Sequence, residues 1–139
     1  MTSVPTGRVS ANDKRMLSDH FALAEFASHD GAGFPEEALV NLVGLANVLE
    51  KIRTHFGGKP VRVLSGYRSP AHNKAVGGAE RSQHMLGKAA DIAISGVTPK
   101  QVADFACTLP EVGGCSAYDA FTHVDTRQRV NGQVVTWGA

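Results

Sequence analysis

The sequence predicts an α+β domain, a few helices packed with a small antiparallel sheet. Three observations predict it. The 139 residues make one ordinary domain, long enough to bury roughly 68–70 % of the unfolded surface. A helical apolar stripe fills the first half. Short strand-like runs with an Asn131-Gly132 hairpin signal fill the second. Apolar residues are 42 % and charged residues 19 % of the chain, which marks a globular protein. The formal net charge of +1 gives no reason to expect nucleic acid. No apolar run approaches the ~20 residues of a membrane span, so membrane insertion is not expected.

Residues 1–18 are polar and read as a flexible N-terminal arm, with a single domain over 19–139. The N-terminus has no apolar h-region, so a protein made in the cytoplasm without a secretory signal is expected. The apolar run 20–26 is expected to dock on the body. Pro35, Glu36 and Glu37 suit a helix start. Leu39, Leu42, Val43, Ala46, Leu49, Ile52 and Phe56 then recur at helical spacing, and Val40, Leu45 and Val48 widen the stripe. That width predicts a largely buried helix, stopped by Gly57-Gly58.

Residues 61–64 read as a strand. Ser69-Pro70 caps a brief helix over 70–75, which Gly77-Gly78 ends. Residues 79–88 read as loop and 89–94 as a strand buried on both faces. Thr98-Pro99 starts a helix with Val102, Phe105, Ala106 and Leu109 inward, and Pro110 follows its end. Strands are expected at 115–118, 121–126 and 134–137. Cys107 and Cys115 read as two small buried thiols rather than a bridge.

Among six histidines, two have partners that single them out. Asp91 opens a buried strand, seven residues after His84. A buried, unpaired carboxylate costs several kcal/mol, so Asp91 needs a cation, a set of donors or a metal. On a strand, Phe121, His123 and Asp125 share one face, so a histidine and a carboxylate point out together. Two histidines and one aspartate can complete the protein ligands of a catalytic zinc, with Asp125 orienting one of them from behind. Backbone donors capping Asp91 are the competing explanation of the same spacing.

Read in order, Ser65-Gly66-Tyr67-Arg68-Ser69, Ser82-Gln83-His84 with Asp91, Phe121-Thr122-His123-Val124-Asp125 and the late Trp137 resemble the D-alanyl-D-alanine metallopeptidase family. Its members are zinc D-Ala-D-Ala carboxypeptidases and related peptidoglycan endopeptidases. The resemblance runs over roughly residues 20–137 and is nearest to small single-domain members from bacteria and phages. It implies a Hedgehog/DD-peptidase-like fold and Zn2+ on His84, Asp91 and His123. It assigns Arg68 and Ser82 to substrate binding, Arg68 also to stabilising the oxyanion, and implies peptidoglycan peptides as substrates. Family members usually carry an acidic general base three residues before the last histidine. Ala120 stands there in this chain, so the neighbouring Asp119 is the expected base, ahead of Glu80, Glu111 and Asp125.

The resemblance therefore implies a zinc metallopeptidase that cleaves stem-peptide amide bonds. A catalytically weakened, metal-binding phage virion or wall-binding module is the alternative. Reaching the wall would require lysis-linked release, as for a phage or prophage endolysin, or a place in a virion among other virion proteins.

Overall fold

The widest apolar stripe becomes the longest element of the computed structural model, which describes residues 8–137. Helix α1 spans Glu36–His55, with Glu36 and Glu37 in the first turn and Arg53 and His55 in the last. Both placements suit the helix dipole. Pro35 is extended, just ahead of the helix. The buried stripe is Ala38, Leu42, Leu45, Ala46, Val48, Leu49 and Ile52. Two residues expected inside are not: Val40 is 76 % exposed and Val43 41 %. Each follows an inward position by about 100° of helix rotation or falls opposite it, and a lone exposed valine costs little.

Four strands form the main sheet in the order β3-β4-β6-β5, every neighbour antiparallel. They are β3 (Val61–Ser65), β4 (Ala89–Ile94), β5 (Gly114–Ala117) and β6 (Thr122–Asp125). The short helix α2 (Pro70–Ala75) is capped by the Ser69 hydroxyl. Helix α3 (Pro99–Ala106) opens with a capping box between Thr98 and Gln101 and turns Val102, Ala103 and Ala106 inward. Phe105 is half-buried and stacks on His55 at 3.7 Å. Phe21, Leu23 and Phe26 join α1 and the sheet in one apolar core, so the 20–26 run docks as expected. The α+β class is borne out, and both cysteines are free thiols, Cys115 buried and Cys107 half-buried.

The arm is held from residue 8 onward. Arg8–Val9 (β1) pairs with Phe34–Pro35 (β2), and the Leu23 amide bonds the Arg15 carbonyl. Polar composition hid this, because a backbone ladder needs no apolar side chains. Residues 1–7 lie outside the described residues. The strand expected at 134–137 is also corrected. Its ladder is one bridge, Gly114 with Val135. The chain end then bends over the sheet, where the Ser116 hydroxyl bonds the Trp137 carbonyl at 2.6 Å. The Asn131-Gly132 turn does form, both residues at positive φ. Among the described residues no helix is long and apolar enough to cross a membrane.

Candidate metal centre and its cleft

Register places the candidate ligands. Asp91 on β4 stands directly opposite His123 on β6, the two central strands. The His123 Nδ1 lies 3.1 Å from the Asp91 Oδ1. His84 arrives from a 3-10 turn, Gln83–Leu86, that interrupts the expected loop. Ser82 starts this turn by accepting the His84 amide at 3.2 Å, and Gly87 ends it at φ 74°. A side chain at Gly87 would press a Cβ to 2.8 Å from the Ala38 carbonyl oxygen, so the turn can sit against α1 only with glycine there. The His84 Nε2 is 3.4 Å from the same Asp91 oxygen.

The three ligand atoms lie within 4.8 Å of one another. Atoms held at zinc distances around a tetrahedral ion stand roughly 3.3 Å apart. The 3.1 and 3.4 Å separations fit that spacing. Proton positions fit it as well. The His84 Nδ1 lies 2.8 Å from the Gly66 carbonyl, which can only accept, so Nδ1 carries the proton and Nε2 is free to ligate. The His123 Nε2 lies 2.7 Å from the Asp125 Oδ2 and donates to it, leaving Nδ1 for the centre.

Asp125 is fully buried, yet it is well supplied with donors. Besides His123 it accepts from the Arg127 amide, Nε and Nη2, at 2.6–3.1 Å. Burial pushes its carboxyl up, but the bonds from His123 and Arg127 outweigh that and hold it at about 2. Asp91 behaves alike: burial raises it, the two histidines lower it, and it rests at about 2. Burial lowers His123, but its bonds to Asp125 and Asp91 prevail and raise it above 6.5. The His123 ring thus stands between two carboxylates, Asp91 and Asp125. Gly114 leaves the space for this group, since a Cβ there would meet the Asp125 Oδ2 at 2.5 Å.

An open cleft of about 460 Å³ lies over the centre. Arg68, Ser82, His84, Asp91 and His123 all line it, so the structure gathers five of the expected site residues. Arg68 is steadied by Asn73, whose Oδ1 accepts from its Nη1 at 3.0 Å. Asp125 stands behind His123, outside the lining. Asp119 is the exception. It is exposed and absent from the cleft lining. Asp119 falls between the expected strands 115–118 and 121–126, and the chain reverses there at Asp119-Ala120, where the Tyr118 amide bonds the Phe121 carbonyl across a two-residue tip. Glu111 pairs with Lys51, Asp125 is sealed away, and Glu80 does not line the cleft. Among the described residues, Asp91 is the one carboxylate of the lining.

Sequence reasoning missed Arg127, Tyr118 and the position of Trp137. Arg127 was findable, for 123, 125 and 127 alternate onto one face. The Trp137 ring packs 5.0 Å from the His123 ring, with the Arg127 guanidinium 5.3 Å over it.

Two comparisons bear on this arrangement. A 44-residue stretch is 48 % identical to the zinc D-Ala-D-Ala carboxypeptidase of Streptomyces albus G, covering 32 % of this chain and 17 % of that protein. The match to the carboxypeptidase is thus partial in both chains. The family model described as Peptidase M15 matches residues 18–125, which span the whole His-Asp-His centre. The chain belongs to the peptidase M15 family, the D-alanyl-D-alanine metallopeptidases.

Proposed function

We propose that this protein is a zinc-dependent hydrolase of peptidoglycan stem-peptide amide bonds, a D,D-carboxypeptidase or endopeptidase. The observation that carries the reading is the donor set, two imidazole nitrogens and a carboxylate oxygen converging from His84, His123 and Asp91 in a cleft. Zinc held there would supply Lewis-acid activation of water and carbonyl at neutral pH. The chain's own residues do the rest. Gly66 and Asp125 fix the imidazole tautomers. Arg68, aimed by Asn73, offers its fork to a substrate carboxylate or carbonyl oxygen. Ser82 holds the His84 turn and faces the cleft.

The test is digestion of purified peptidoglycan with and without chelator, together with elemental analysis. The reading expects about one zinc per chain and release that chelator abolishes. Chelator-insensitive release, or a purified chain without zinc after metal supplementation, overturns it. A phage or prophage setting, with the protein reaching the wall after lysis-linked release or in a virion, belongs to the same proposal. Its check is mass spectrometry of purified particles and of induced lysates.

One observation favours a second reading, a metal-binding virion or wall-binding module with weakened catalysis. Among the described residues the cleft lining holds no carboxylate besides Asp91 to serve as base, and Asp119 sits at the hairpin tip. Tight zinc with no muropeptide cleavage at high protein concentration would decide for it. A large loss of activity in Asp119→Ala would decide against it.

A further inference from the structure

The aromatic side of the cleft carries a group with no role so far. Tyr118 lines the same cleft as His123, just past the end of β5. Its ring stacks on Phe121 across the hairpin, centroids 4.7 Å apart and planes within 18°. Its hydroxyl oxygen accepts a 2.6 Å hydrogen bond from the Trp137 Nε1. Trp137 is itself fixed, by the Ser116 hydroxyl on its carbonyl and by its ring against His123. An indole nitrogen can only donate. The Tyr118 proton is therefore not used in that bond, and the phenol keeps a free O–H on an oxygen pinned in place. Pinning a donor before reaction is what makes such a group effective toward developing charge.

We propose that Tyr118 is a catalytic hydrogen-bond donor to the oxyanion of the hydrolysed amide, oriented by Trp137, an inference that rests on the peptidase reading above. In the step concerned, the water oxygen bonds to the amide carbon and the C=O π pair moves onto oxygen. The Tyr118 O–H bonds that oxygen without transferring its proton. On collapse the C–N bond breaks, and the proton lost by water ends on the leaving amine. Arg68 and Tyr118 are then two donors of the same lining, Arg68 from the segment after β3 and Tyr118 from the segment after β5. Trp137 acts as a positioning residue.

The test compares the zinc-loaded chain with its Tyr118→Phe and Trp137→Phe variants. The substrate is an acylated peptide ending in D-Ala-D-Ala, and the probe of the tetrahedral state is its phosphinate analogue, titrated by calorimetry. Tyr118→Phe is expected to lose about 10²-fold in kcat with KM within about twofold, as for loss of one oxyanion donor. Phosphinate affinity should fall alongside kcat, while affinity for the carboxylate product and zinc content stay unchanged. Trp137→Phe keeps a ring on His123 but no donor, and should lose less than Tyr118→Phe in both measurements. A Tyr118→Phe variant whose kcat and phosphinate affinity stay within about twofold overturns the proposal. So does a variant that loses zinc, which would make the role structural. If the native chain cleaves no wall peptide, the peptidase reading fails separately. The phosphinate arm still decides about Tyr118: a native chain that does not bind the analogue overturns it.

Discussion

Asp91 shows how much one residue can carry. Its carboxyl sits near 2 because two imidazoles hold it, and its oxygen is common to both short contacts of the centre. Asp91→Asn removes the anionic ligand and should abolish stoichiometric zinc by elemental analysis, with far-UV circular dichroism unchanged. Asp125→Asn acts one step removed. It weakens the bond that orders His123 and the pairing with Arg127, and should cost about 10–100-fold in zinc affinity by competition titration. Both aspartates were legible in the sequence, since alternation on a strand and the cost of a buried charge point straight to them. Asp119 falls in the gap between the expected strands 115–118 and 121–126, but where that tip carries its carboxylate depends on the pairing of β5 with β6, which no local pattern around 119 records. Arg68 was legible as a motif residue, but the Asn73 that aims it was not, for that contact joins a loop to the short helix α2.

Elements were legible to the degree that their signals were local. Helix α2 and strand β4 emerge at the expected residues because a Ser-Pro cap and an unbroken apolar run need no distant partner. The β1–β2 ladder and the bent chain end depend on remote backbone partners, so composition misled. Helix α1 separates the two kinds of apolar position cleanly. Leu42→Ala empties a fully buried site and should cost about 2–5 kcal/mol in denaturant unfolding. Val40→Lys changes an exposed site and should stay within about 0.5 kcal/mol. On the sheet, Gly114→Ala would drive a methyl into the Asp125 carboxylate and the Arg127 Nε, both rigidly engaged. An overpacking loss of about 1–3 kcal/mol is expected, with weakened zinc retention as the sign that His123 has moved.

At the scale of the whole molecule, the centre links folding to pH with opposite signs in its two states. Without metal, His123 is raised above 6.5 by Asp125 and Asp91. A raised histidine contributes stability that is fully present below its unfolded value and is lost as pH rises through the folded one. The metal-free chain should therefore melt lower at pH 8 than at pH 6, as far as this group decides. Zinc needs the imidazole deprotonated, so its stabilisation grows over the same interval. The zinc-induced rise in Tm by calorimetry should be small near pH 6 and larger near pH 8. Asp91 and Asp125, held at about 2, add losses only under strong acid, as pH falls from about 4 toward 2.

The facing of Asp91 and His123 across β4 and β6 has one more consequence. A strand slipped by a single residue turns every side chain to the opposite face. Such a slip would leave the backbone ladder nearly intact and the apolar count unchanged, yet it would pull the two donors apart. Metal retention therefore works as an alignment gauge for the sheet. In a population of refolded chains, the fraction that keeps the ion counts the molecules whose central strands have met in the right phase.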